Sequence, residues 1–386
     1  MKEVEEKTTV PNPSVDAEKE QPLVKETTTI LPKDNAEFNE KDEEHRKMER
    51  LFQQVNNPRY LHTVSMSELY DTVYRTNPRI VDDFLYAGTY LFVGAPKVGK
   101  SFFMAQLSYH VSTGLPLWGH HIHKGTVLYL ALEDDYARLQ KRLSRMFGTE
   151  GNDNLYFAVQ AKQLNEGLDG QLDEFVRQHP DTRLIIIDTL QKVREIGGDK
   201  YSYASDYEIV TKLKKFSDQH GVCLLLVHHT RKQVAEDSFD TISGTNGLLG
   251  AADGAFVLQK IKRTGNEAVL DVAGRDQQDQ KLYLKFDRES CVWQLIKAET
   301  ELWKEPVDAV VKAVAKLVTA EKLEWKGSAS ELADVLDGVK LSPNALTRRL
   351  NVSAGCLLDQ YGIRYENRRS HMGRQVKLTF EKTAKA

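Results

Sequence analysis

Eight consecutive residues, Gly94-Ala95-Pro96-Lys97-Val98-Gly99-Lys100-Ser101, carry glycines, a lysine and a hydroxyl at the spacing of a phosphate-binding loop. The glycines let the backbone curl so that its N–H groups converge on phosphate oxygens. Lys100 is placed to reach the β and γ phosphates, and the Ser101 hydroxyl to hold Mg²⁺. Further chemistry-bearing residues follow apolar runs. Asp188 ends Leu184-Ile185-Ile186-Ile187, and because a buried carboxylate without a partner is costly, it is the second candidate for Mg²⁺. Glu133 ends Thr126–Leu132 and could orient and deprotonate an attacking water. Asp134 and Asp135 give that cluster a competing use as a helix cap. His228 and His229 end Val222–Val227, where one of them could sense the γ-phosphate and pass its presence on. Together these residues imply binding and hydrolysis of ATP with Mg²⁺.

Such residues act only if strands and helices bring them to one edge. Tyr90-Leu91-Phe92-Val93 reads as a strand before the loop, and Phe102–Ser108 as the helix after it. Thr126–Leu132, Arg183–Asp188 and Val222–His229 read as buried strands. Residues 136–147, 168–178 and 204–220 show helical spacing of apolar positions. Apolar strands alternating with amphipathic helices predict a parallel sheet covered on both faces. In such a sheet the ligand lies beyond the carboxyl ends of the strands, where Gly94, Glu133, Asp188 and His228 all fall. After Gly250 the stretches 254–258, 268–272 and 282–286 predict strands that extend the sheet, the last two as a hairpin. The expected fold class is therefore α/β.

The chain has 386 residues and a net charge of −3, unevenly spread. Residues 1–50 carry nine Lys/Arg against fourteen Asp/Glu and almost no aromatics, a composition that predicts a disordered acidic arm. Residues 51–300 are expected to hold the nucleotide site and residues 301–386 a separate basic unit. Within the latter, residues 326–386 carry eleven Lys/Arg against six Asp/Glu, a hint of nucleic acid. There, Leu302–Leu323 has helical periodicity that Trp325-Lys326-Gly327 breaks, and Ser328 and Ser342-Pro343 open two more helices. Two strands then flank a basic turn, 368–374. Helices followed by a basic hairpin resemble a winged helix, which implies DNA contact through Arg348, Arg349, Arg368, Arg369 and Arg374, or use as a protein-contact module. Cys223, Cys291 and Cys356 are far apart, which argues against a disulfide framework or zinc finger and points to a reducing cytoplasm. No apolar run is long enough to span a membrane, and the polar start does not read as a secretion signal. His120, His121 and His123 read as a loop rather than a metal site, lacking carboxylate or cysteine partners at useful spacing.

The order of motifs, Gly94–Ser101, Leu128–Asp134, Leu184–Leu190 and Val227–Thr230, together with Thr113-Gly114-Leu115-Pro116-Leu117-Trp118-Gly119, resembles the RecA-type ATPases. It is most similar to the RepA-like hexameric replicative helicases of plasmids, phages and mobile elements. The resemblance covers roughly residues 65–297. It implies a homo-oligomer, a hexamer, with ATP between subunits and a basic residue supplied in trans. Val272–Asp276 occupies the matching place, which makes Arg275 the expected finger, with Lys262 and Arg263 as lesser candidates and pairing with Asp276 as the plainer use of Arg275. The resemblance also places a DNA-contacting segment at 231–247, with Arg231 and Lys232, although that stretch equally fits an ordinary mobile loop. Single-stranded DNA is the implied partner. The competing readings are an ATP-switched DNA-binding regulator and a loader that acts in replication or recombination without unwinding.

Overall fold

The computed structural model describes residues 57, 59–74, 77–194, 203–231, 237–243, 246–299, 306–336, 338–370 and 373–381. The predicted acidic arm, 1–50, lies outside them. The chain divides into two units, Met1–Leu69 and Tyr70–Ala386. A short helix, α1 (Met66–Asp71), spans the division; Ser65 and Glu68 cap its start reciprocally, and none of its residues is buried.

The second unit opens with a small antiparallel pair, β1 (Arg79–Val81) and β2 (Leu85–Tyr86). Strands and helices then alternate as the apolar periodicity predicts. The succession is β3 (Gly88–Gly94), α2 (Lys100–Thr113), β4 (Thr126–Ala131), α3 (Tyr136–Phe147), β5 (Leu155–Ala158), α4 (Leu168–Gln178) and β6 (Thr182–Asp188). After them come α5 (Leu190–Val193), α6 (Tyr203–His220), β7 (Cys223–His229), α7 (Asn246–Ala251) and β8 (Gly254–Lys260). Three further strands, β9 (Glu267–Gly274), β10 (Gln280–Phe286) and β11 (Trp293–Ala298), complete a nine-stranded sheet of order β11-β10-β9-β8-β3-β7-β6-β4-β5. The six strands from β8 to β5 in that order are parallel; β9, β10 and β11 pair antiparallel. The hairpin expected over 268–286 is β9–β10, while β5 and β11 had no clear signal in the sequence.

Successive residues of the central strands serve two cores, one on each face. Tyr90, Phe92, Tyr129, Leu184 and Ile186 pack with Phe103, Met104 and Phe256 on one side. Leu91, Val93, Leu128, Leu130, Ile185 and Ile187 pack with Val210, Leu213 and Leu248 on the other. Burial on both faces is why these strands read as unbroken apolar runs.

Residues beyond 306 have a core and a sheet of their own. The order is α8 (Ala309–Leu317), β12 (Glu324–Ser328), α9 (Ala329–Val335), α10 (Pro343–Tyr361), β13 (Ile363–Ser370) and β14 (Gly373–Phe380), with the sheet ordered β12-β14-β13. The helix expected from Leu302 to Leu323 is shorter, with residues 300–305 outside the described set. The stretch expected only to interrupt it, 325–327, is strand, because it pairs with Val376–Leu378 fifty residues on. Ser328 with Glu331, and Ser342 with Pro343 behind it, cap α9 and α10 where the sequence placed helix starts.

Candidate active site

β3 runs between β7 and β8, and the register sets Gly94 beside His229 and Leu258. The phosphate loop therefore leaves the centre of the sheet at its carboxyl edge. Lys97 (φ 64) and Gly99 (φ 112) are left-handed, which turns the chain sharply into α2 at Lys100. Lys100 Nζ donates to the carbonyls of Gly94 (2.7 Å) and Ala95 (3.2 Å) and lies 3.3 Å from His229 Nδ1. Burial lowers the Lys100 pKa, opposed by the charges of Asp188 and Glu133.

Ser101 and Asp188, 87 positions apart, meet: Ser101 Oγ donates to Asp188 Oδ2 at 2.8 Å. The fully buried Tyr129 of β4 donates its phenol to the same oxygen, also at 2.8 Å. Burial raises the Asp188 pKa, and the hydrogen bonds from Ser101 and Tyr129 and the charge of Lys100 oppose it. Asp188 caps no helix; α5 starts at Thr189 without a side-chain cap bond. Glu133 Oε1 accepts from Thr189 Oγ1 at 3.2 Å. The cluster's competing use falls to its other members. Asp135 caps α3 through the Arg138 N–H, and Asp134 pairs with Arg142 at 2.7 Å.

The two histidines face different ways, as neighbours on a strand must. His229, not His228, stands against Lys100. His228 is buried, with Nε2 3.0 Å from the Ser243 carbonyl and Nδ1 without a hydrogen-bond partner. Burial brings its pKa down to about 4. Sequence reasoning named His228 and missed the contact of His229, because alternation gives their opposition but not which side holds the loop. It also missed Tyr129, which reads as one more apolar strand residue, and Arg142. The Arg142 guanidinium lies 5.2 Å from the Phe102 ring centroid, with Nη1 buried and unpartnered.

Arg275 follows β9, away from this site. Gly274 pairs with Gly254 and Gly254 with Tyr90, while the loop starts at Gly94. The backbone N–H of Arg275 bonds the Asp253 carbonyl, whose carboxylate accepts from the Thr89 N–H. Arg275 thus stands level with Thr89, five residues or roughly 17 Å down the sheet from Gly94. Its guanidinium is exposed, 3.2 Å from the Gly250 carbonyl and 3.9 Å from Asp253, while Asp276 accepts instead from Asn77. Lys262 and Arg263, in the β8–β9 turn, lie at the loop's own end of the sheet.

Arg231 is exposed just after β7, and Lys232 lies outside the described residues, as do Gly244 and Thr245. In the carboxyl-terminal part, Arg348 and Arg374 converge on Asp71 at 3.0 and 2.8 Å. Arg349 lies 3.6 Å from Asp308 and Arg368 is exposed; Arg369 falls on β13. His123 is 2.8 Å from Asp82, a carboxylate partner that spacing did not reveal. Among the described residues no cluster could hold a metal through histidine, cysteine and carboxylate ligands alone, and no helix is long and apolar enough to cross a membrane.

A glycine loop between a buried parallel strand and a helix, with Lys100, Ser101, Asp188 and Glu133 at one sheet edge, defines a P-loop ATPase of the RecA type. Residues 59–235, just under half the chain, match the family model described as an AAA domain. No curated protein matches the chain in sequence. Among solved structures, the chain is similar to an isolated ATPase domain (17% identity, TM-score 0.47, covering 55% of this chain and 85% of that one). It is similar to a DnaB-like replicative helicase whose structure addresses its interactions with primase (15%, 0.49, 67% and 77%). A KaiC-like protein from Pyrococcus horikoshii is a third (14%, 0.41, 58% and 100%).

Proposed function

We propose that this ATPase is a ring-forming motor on single-stranded DNA, a replicative helicase of a mobile element, with six copies to the ring. The observation that carries the reading is the separation of Arg275 from the phosphate loop of its own chain. An exposed guanidinium at the opposite end of the sheet cannot serve its own site without rearrangement, but can reach a neighbour's. Arg pairs bidentately with developing phosphate charge, so a second copy would complete each site.

Within the site, the backbone of Gly94–Gly99 and Lys100 bind the phosphates. Glu133, held by Thr189, takes the proton of the attacking water. His229 adjoins Lys100 at the phosphate end, and His228 links the same strand to Ser243, so the pair can report nucleotide state to the segment beyond β7. Ser101 Oγ and the Asp188 carboxylate are hard oxygen donors already in contact, a set that fits Mg²⁺. When bound there, Mg²⁺ supplies charge neutralisation to the phosphates. Nucleic acid would be met by Arg231 and Lys232, and by the carboxyl-terminal unit. The helix–strand–helix–helix–strand–strand order of that unit, with β12 paired to β14, supports a winged helix. In it α10 with Arg348 and Arg349 is the recognition helix, and the β13–β14 hairpin with Arg368, Arg369 and Arg374 is the wing. Three free cysteines are consistent with the cytoplasm.

The decisive experiment is steady-state ATP hydrolysis with and without single-stranded DNA, with Lys100→Ala as the blank. Stimulation that vanishes in the variant is expected. Hydrolysis indifferent to DNA would remove the motor reading and favour an ATP-switched DNA-binding regulator or loader.

A further inference from the structure

We propose that Trp293, the first residue of β11, is a positioning residue of the phosphate loop; this rests on reading Gly94–Ser101 as the nucleotide site. In the sheet order β11 is the outer antiparallel edge, four places from β3. Yet its tryptophan lies on the back of the loop, because the twisted antiparallel half of the sheet wraps past α2. The Trp293 indole Nε1 donates to the Gly99 carbonyl at 3.2 Å, and that carbonyl also accepts from the Phe103 N–H at 3.2 Å as the first turn of α2. A peptide plane is rigid, so holding the Gly99 oxygen outward turns the Lys100 N–H the opposite way, toward the mouth of the loop. That N–H is one of the helix-start donors an anion would take up.

The ring also determines which residue stands at 99. A Cβ there would come within 2.8 Å of the Trp293 Cζ2, on a backbone already at φ 112. The loop glycine is therefore required twice over, by its turn and by the indole. Trp293 is itself fastened to α2. Its N–H donates to Gln106 Oε1 at 2.8 Å, while Gln106 Nε2 and Trp118 Nε1 both donate to its carbonyl, at 3.0 and 2.8 Å. Gln106 is buried, and the indole is 1% exposed with Phe286 against its edge. A buried side chain with satisfied hydrogen bonds on every polar atom is rigid, which a brace for a mobile loop requires. Nothing in this arrangement touches the reacting atoms, so the effect should appear in nucleotide affinity rather than in the chemical step.

The test is Trp293→Phe in the full chain, which keeps a ring in the core and removes the donor. Binding of a fluorescent ATP analogue with Mg²⁺ should weaken about 5- to 10-fold, the loss of one hydrogen bond. KM should rise in step while kcat stays within about twofold. A folded variant with unchanged Kd and KM overturns the proposal and leaves the indole as core packing. Should the variant fail to fold, W118F/W303F/W325F leaves Trp293 as the sole tryptophan of the four. Its emission should change on adding Mg²⁺ and ADP, and constant emission from a chain that binds ADP overturns the proposal. Failure of the unaltered protein to bind nucleotide would instead remove the nucleotide-site reading, and the proposal with it.

Discussion

Glu133 and Thr189 are joined across two strand ends: Thr189 Oγ1 donates to Glu133 Oε1 at 3.2 Å, and beside them the Leu132 N–H bonds the Asp188 carbonyl at 2.8 Å. The base candidate is thereby held to the residue after Asp188, and its position follows the pairing of β4 with β6.

Glu133→Gln keeps the shape and the bond from Thr189 but cannot take a proton. ATP binding should stay within about twofold, while hydrolysis falls by roughly 10²–10⁴-fold, the usual contribution of a general base. Equilibrium binding of a fluorescent nucleotide beside steady-state turnover checks this; unchanged turnover would remove Glu133 from the role.

Arg275→Ala should leave nucleotide binding by each subunit intact and lower hydrolysis by about 10³-fold, as loss of an arginine finger does. The sharper measurement mixes Arg275→Ala with Lys100→Ala. Each lacks a different half of a shared site, so mixed assemblies should recover activity that neither variant has alone. No recovery would argue that Arg275 works only within its own chain or not at all.

Asp71 takes both Arg348 and Arg374, whose guanidinium hydrogen bonds hold its carboxyl below the usual range. If these arginines meet DNA phosphates, Asp71 competes for them. Asp71→Ala should tighten binding to single-stranded DNA several-fold. It should also steepen the salt dependence by about 1.4 in log–log slope, roughly 0.7 for each phosphate gained. An unchanged slope would mean that the arginines only anchor the carboxyl-terminal unit to the chain before β1.

His228 gives a pH dependence of folding. Its ordinary value lies near 6.5, and burial, reinforced by the Arg194 charge, holds it at about 4 in the folded chain. Between these values the unfolded chain binds a proton that the folded chain refuses. The stability is therefore complete above about pH 6.5 and is lost as the pH falls toward 4, by on the order of 3 kcal/mol for this group. Thermal unfolding at pH 7 and 5 should show a smaller gap in His228→Asn than in the unaltered chain. An equal gap would place the acid sensitivity elsewhere.

Local sequence determined a good part of this protein. The glycine loop with its Lys-Ser, the apolar strands, the amphipathic helices and the caps at Ser328 and Ser342 are written in neighbouring residues, since turns, periodicity and capping act over a few positions. The carboxyl edge of a parallel sheet then brings Glu133, Asp188 and the histidine pair to the loop, because each directly follows or ends a strand. Only the tertiary structure decided that His229 rather than His228 meets Lys100, and that Tyr129 braces Asp188 from inside β4. It alone set Arg275 at the far end from Gly94, gave Arg348 and Arg374 a common carboxylate in Asp71, and seated Trp293 behind Gly99. These partners are distant in the chain: 59 positions separate Tyr129 from Asp188, and 277 separate Asp71 from Arg348. Their meeting depends on strand register, sheet twist and the side of a strand that a core claims, which are collective outcomes of packing that no single stretch of chain encodes.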